Sequence, residues 1–105
     1  MTTVVVVDDA EEQLREIIEW WVVNRPAART LVLDEFIRCV SLLSIAPDAG
    51  PRFRRTQVSG VRRLVLRRTK HLVYYVHDRM NAVVYIIAVW GAPKEGAPTL
   101  REPQR

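Results

Sequence analysis

Between positions 52 and 70 the chain carries eight cations, Arg52, Arg54, Arg55, Arg62, Arg63, Arg67, Arg68 and Lys70, with no Asp or Glu among them. Guanidinium and ammonium groups at this density attract phosphates and carboxylates. His71 follows at once and His77 six residues later; imidazole is the side chain that moves protons near neutral pH. Six residues of strand place two side chains on one face but about 20 Å apart, too far to share a metal ion. No metal site and no cofactor are expected. Tyr74, Tyr75 and Tyr85 have rings that can stack on bases, but in central strands tyrosine more often fills core. Cys39 is the single cysteine, with no second thiol for a disulfide or a metal, and reads as a small buried apolar residue rather than a nucleophile.

The charge is unevenly placed. Residues 1–50 hold four Arg against nine acids, a balance of −5, whereas residues 51–105 hold twelve Arg and Lys against three acids, a balance of +9. That asymmetry points to an acidic or nucleic-acid partner for the second half. A chain of 105 residues, 49% hydrophobic, accommodates one domain with one core. We place that domain at 1–93, with 94–105 as a flexible C-terminal tail, because Gly91, Pro93, Gly96 and Pro98 interrupt any regular element. Val4 to Val7 are followed at once by Asp8 and Asp9, unlike a signal peptide, and the longest uncharged run, 81–93, is shorter than the roughly 20 residues of a membrane span. Together with the lone cysteine, this leads us to expect a cytoplasmic protein without membrane association.

The elements that must position these groups follow from periodicity. LVYYV (Leu72 to Val76) and AVVYIIAVW (Ala82 to Trp90) are dense in β-branched and aromatic residues. Apolar on both alternating faces, they read as central strands joined by a hairpin loop over His77 to Asn81. The stretch from Val61 supplies a third strand of the same meander. Thr3 to Val7 reads as a first strand. Asp8 is then the expected helix N-cap with Glu11 three positions on, opening a helix whose stripe is Ala10, Leu14, Ile17, Ile18, Trp21 and Val22. Pro26 ends that helix through Arg25 and is expected to open a second, running to about Ser44, with Ala28, Val32, Phe36, Cys39, Val40 and Leu43 inward. Pro47-Asp48-Ala49-Gly50-Pro51 breaks it, and residues 52–60 read as an irregular basic loop. The fold class is α+β: an N-terminal strand, an αα-hairpin and a three-stranded antiparallel meander, with the helices packed on one face of the sheet. Two helices cover one face only, so an exposed apolar patch is expected on the sheet.

This order, with the strings AEEQLREIIEWW (Ala10 to Trp21), NRPAA (Asn24 to Ala28), APDAG (Ala46 to Gly50), VRRLVLRRTKHLVYYV (Val61 to Val76) and IIAVWGA (Ile86 to Ala92), resembles the RelE/ParE family of toxins from type II toxin–antitoxin modules. The paired helices look more like the ParE branch. The resemblance implies a toxin held inactive in a hetero-oligomer with a cognate antitoxin, through which alone it would meet operator DNA. ParE-like members inhibit DNA gyrase, whereas RelE-like members cleave mRNA on the ribosome. Fold alone does not choose between them.

RelE-like sequences carry a Tyr-Arg-Leu-Val-Tyr string where this chain has Lys70-His71-Leu72-Val73-Tyr74, so His71 stands in place of the phosphate-contacting arginine. Many relatives then carry a histidine and an arginine where this chain has Gly91 and Pro93. The resemblance therefore favours a gyrase inhibitor without hydrolytic chemistry. The alternatives are an endoribonuclease built on Arg62, Arg63, Lys70 and His71, or a decayed, non-toxic relative. Target-binding candidates are Arg62, Arg63, Arg67, Arg68 and Lys70, and antitoxin-binding candidates are Trp20, Arg54, Arg55, Tyr75 and Trp90.

Overall fold

The computed structural model describes residues 1–91 and 98–104. Strand β1 (Thr3–Val6) leads into helix α1 (Asp8–Asn24), a single 3₁₀ turn (Pro26–Ala28) and helix α2 (Leu31–Ile45). Strands β2 (Val61–Leu66), β3 (His71–Asp78) and β4 (Val83–Gly91) follow. The sheet order is β1-β4-β3-β2. The last three strands form the expected antiparallel meander, and β1 adds in parallel beside β4.

Helix α1 starts directly off β1. The Val7 N–H still belongs to the sheet, donating to Ile86 C=O, while the Val7 carbonyl accepts the Glu11 N–H. Val7, not Asp8, occupies the N-cap place, and no side chain caps the helix. Asp8, Asp9 and Glu11 instead lie in its first turn, where their charge complements the partial positive charge of that end. Ala10 and Leu14 are buried, with Ile17, Ile18 and Trp21 packed against the same core. Val22, expected inward, lies beyond the edge of the stripe and is 48% exposed. Pro26 opens only the 3₁₀ turn, closed by Ala28 N–H on Arg25 C=O, before α2 begins five residues later than expected from the proline. On α2 the inward stripe is Val32, Phe36, Cys39 and Leu43, at helical spacing.

Both faces of the sheet are covered. On one, the helices close over Val73, Tyr75, Val84, Ile86 and Val89. On the other, Val58, Val61, Tyr74, Val76, Ile87 and Ala88 form a second cluster, closed by Phe53 and Leu100. The apolar patch expected on this face is therefore covered by the segment before β2 and by residues 98–104, whose Pro98 and Pro103 are buried. The expected tail thus lies partly on the sheet; Pro93 and residues 94–97 lie outside the described residues. Exposed apolar side chains occur mostly on the helices, as at Trp20, Val23, Ile37 and Ile45, with Val65 of β2 and Met80 of the β3–β4 loop also exposed.

Two local devices set the register. Ile87 is an extra residue of β4 between the pairs Tyr75↔Ile86 and Tyr74↔Ala88. Both Ile87 and Ala88 consequently face the second cluster, while Ile86 and Val89 face the helices. Beside this bulge the Val89 N–H donates to the Gln13 side chain of α1. Before β2, the segment expected to be an irregular loop begins by pairing with the sheet edge. Phe53 N–H donates to Val61 C=O, and Arg63 N–H to Pro51 C=O. Gly60 then turns into β2 with φ +74°, a conformation glycine adopts without strain.

Candidate functional site

The basic stretch becomes the β2–β3 hairpin, and its two ends differ. At the base, Asp48 from the α2–β2 connection gathers three cationic or titratable side chains. Its carboxylate meets His77 Nδ1 at 3.0 Å, Arg79 Nη2 at 2.7 Å and Arg62 Nε at 3.5 Å. The His77 hydrogen bond above all holds Asp48 below the usual carboxylate range; burial opposes it, and the charge and hydrogen bond of Arg79 add to the lowering. Arg62 also donates to the carbonyls of Gly50 (2.7 Å) and Asp48 (3.3 Å). Arg62 therefore fastens the connection to the sheet. Arg63 points to the other face and stacks on Phe53 and Tyr74, 5.1 and 5.9 Å from their ring centroids.

At the tip, residues 67–70 form the turn, closed by Lys70 N–H on Leu66 C=O at 2.7 Å. Arg67, Arg68 and Lys70 are exposed, and none makes an ion pair within 4 Å among the described residues. Glu35 of α2 reaches across to the turn. One carboxylate oxygen accepts from the Arg68 N–H at 2.9 Å; the other accepts from the Thr69 N–H at 3.0 Å and the Thr69 hydroxyl at 2.7 Å. Partial burial pushes the Glu35 carboxyl up, but these hydrogen bonds and the Arg68 charge outweigh it and leave it below its ordinary value.

The residues proposed for RNA cleavage do not converge. Arg62 and Arg63 lie on opposite faces, and His71 pairs with Leu66, four residues further along β2 than Arg62, or about 13 Å at strand rise. His71 is 6% exposed, with Trp21 packed beside it at a centroid distance of 6.3 Å. Burial lowers its proton affinity, against the opposing influence of the Glu35 charge and the Thr69 backbone. A buried neutral imidazole is poorly placed to exchange protons with a bound strand. His77 is committed to Asp48 and shares no partner with His71. Among the described residues no three His, Cys, Asp or Glu side chains group as metal ligands. Burial raises the Cys39 thiol pKa to about 11, which leaves it protonated at neutral pH.

Of the five antitoxin-contact candidates, Trp20 and Trp90 come together. They border a cleft of about 580 Å³ with Ile17, Trp21, Arg25 and His71, and the Arg25 guanidinium lies 5.7 Å from the Trp20 ring centroid. Arg54 and Arg55 are exposed on the segment before β2 and do not line this cleft. Tyr75 is wholly buried, so it presents no surface to a partner. Its hydroxyl accepts the Gly50 N–H at 2.9 Å, and burial raises its pKa. The bulky ring lies on the helix-covered face, which an apolar run alone does not distinguish from the opposite one.

Asp48, Glu35 and Gly50 were missed by sequence reasoning. Asp48 offered one signal, as a lone acid between a helix end and a basic stretch; Glu35 is an unremarkable helix acid until the turn is seen beneath it. Gly50 has no room for a side chain, since a Cβ there would lie 2.8 Å from the Arg63 carbonyl oxygen.

A four-stranded sheet with a helical hairpin on one face is the architecture expected of the RelE/ParE class of toxins. Residues 4–94 match the family described as ParE toxin of type II toxin-antitoxin system, parDE, and the chain belongs to that family. Among solved structures, the chromosomal ParDE TA system from P. aeruginosa is similar in fold. Its TM-score is 0.69 at 21% sequence identity, over 87% of this chain and 96% of that one. No curated protein matches in sequence. Among the described residues no helix is long and apolar enough to cross a membrane.

Proposed function

We propose that this protein is the toxin of a ParDE-type module, that it arrests growth by binding and inhibiting DNA gyrase rather than by cutting RNA, and that a cognate antitoxin neutralises it. The observation that carries this reading is the dispersal of the nuclease candidates. RNA cleavage needs a base, a phosphate-binding cation and an acid around one phosphate. Here Arg62 is tied to Asp48 and Gly50, Arg63 is stacked on the opposite face, and His71 is buried under Trp21. Of the five target-binding candidates, Arg67, Arg68 and Lys70 remain exposed and without an ion pair among the described residues, which suits a binding surface for an anionic target better than an active site. The antitoxin would lay an acidic, partly apolar segment across the Trp20–Trp90 cleft, where Arg25 supplies a cation, and its affinity would weaken with salt.

Inducing the chain without its antitoxin tests the reading. The expected result is growth arrest with inhibited supercoiling and DNA-damage signalling, persisting in a folded His71→Ala variant. Arrest accompanied by cut mRNA, with both lost in that variant, would establish the nuclease instead.

A further inference from the structure

Glu35 is an acid placed against the turn that carries the exposed Arg67, Arg68 and Lys70, where its charge diminishes the attraction of the tip for any anion. Both of its oxygens are engaged by the turn backbone and the Thr69 hydroxyl, 33 and 34 residues away in the chain. Lys70 adds a second oddity. Its φ of 65° lies in the left-handed region that glycine or asparagine fills at low cost, yet the position keeps a long cationic side chain. The turn that contains this conformation is held from outside, just before Lys70, by a carboxylate that accepts from the two successive N–H groups of Arg68 and Thr69.

We infer that Glu35 is the positioning residue of the toxin's target-binding tip, clamping the 67–70 turn in the one conformation that presents Arg67, Arg68 and Lys70 together. The inference rests on the proposed reading of that tip as the surface that meets gyrase. Without the clamp the three cations remain, but they are spread over many turn conformations, and each must be ordered at the moment of binding.

The sign of one substitution separates positioning from simple charge. Glu35→Ala removes a negative charge beside the tip, so an effect of net charge alone would strengthen binding to an anionic surface. Loss of positioning weakens it. With the purified chain in a gyrase supercoiling assay, we expect Glu35→Ala to require about tenfold more protein for half-inhibition, comparable to losing one or two hydrogen bonds' worth of ordering. Glu35→Gln should lie between, because its amide oxygen still accepts from Thr69 while its NH₂ cannot accept from the Arg68 N–H. In that isosteric variant the Arg68 amide should exchange faster with solvent. Near-ultraviolet circular dichroism should be unchanged in both.

Equal or stronger inhibition by Glu35→Ala would overturn the inference, and so would wild-type inhibition by a Glu35→Gln protein whose Arg68 amide exchanges fast. A changed near-ultraviolet circular dichroism spectrum accompanying the loss would also overturn it, by showing a general loss of structure. Should Glu35→Ala fail to fold, Glu35→Gln alone decides. The double variant Arg67→Ala/Arg68→Ala tests the underlying reading separately. If it inhibits like the wild type, the tip is not the target surface; if it is inactive while Glu35→Ala is unimpaired, only the positioning role falls.

Discussion

The two ends of the β2–β3 hairpin each receive one carboxylate from the preceding half of the chain, and the two carboxylates are used in opposite ways. Asp48 takes side-chain partners, Arg62, His77 and Arg79, and so removes the base of the hairpin from the free positive surface. Glu35 takes backbone N–H groups and the Thr69 hydroxyl, and so shapes the tip while leaving its guanidinium and ammonium groups outward. Cations of the same type thus serve structure at one end and stay exposed at the other. What separates them is the donor each acid finds, not the number of charges.

The largest effect that would sharpen this contrast comes from Arg67→Ala/Arg68→Ala. Growth arrest should be lost, on the order of a hundredfold in inhibition, while stability by urea denaturation moves by less than about 1 kcal/mol, as for other exposed charges. Arg62→Ala should do the reverse, costing about 2 kcal/mol through the lost hydrogen bonds to Gly50 and Asp48 while arrest persists in whatever protein stays folded. If Arg62→Ala abolished arrest at unchanged stability, the division between the two ends would collapse.

Next in size are two changes at the base that touch no charge. Tyr75→Phe leaves the Gly50 N–H without its buried acceptor and should cost about 1–3 kcal/mol in the same denaturation measurement. Gly50→Ala should cost a similar amount, about 1–3 kcal/mol, because the new methyl meets the Arg63 carbonyl rather than a flexible side chain. Neither should alter inhibition per folded molecule.

Acid should act on both ends in one direction. Glu35 and Asp48 have folded pKa values below their ordinary 4.5 and 3.8, so their stabilisation is present above those values and is lost as pH falls through the folded ones. His71 is likewise depressed, from 6.5, because burial disfavours its charged form. The unfolded chain therefore takes up the proton first, and stability begins to fall below about pH 6.5. Urea midpoints should decline between pH 7 and 5.5 in the wild type and stay level over that interval in His71→Phe. The smallest effect belongs to Arg79→Ala, whose 65% exposed side chain makes a surface pair with Asp48 and should be worth less than about 1 kcal/mol. A larger loss would mean that Asp48 depends on this arginine more than on Arg62 and His77.

Much of the fold was legible in local pattern. The stripe Val32, Phe36, Cys39 and Leu43 repeats at helical spacing and is buried, and Leu72 to Val76 lies within β3. The signals failed where the deciding partner is distant in the chain. Asp8 has the residue type of a cap, but the strand before it runs straight into the helix and gives the place to Val7. Tyr75 looks like a contact residue and Ile87 like any other strand position until the α1–α2 layer and the bulge assign each a face.

By itself the sequence determined the element order, the apolar stripes, the excess of cations in the second half and the family resemblance, because these depend on residue type at short spacing. Which cations are free was decided only by tertiary structure. Hydrogen bonds and ion pairs act over a few ångströms, and the carboxylates that divide Arg62 and Arg79 from Arg67, Arg68 and Lys70 come from Asp48 and Glu35, brought to the hairpin only when α2 packs on the sheet and its following connection closes over Tyr75.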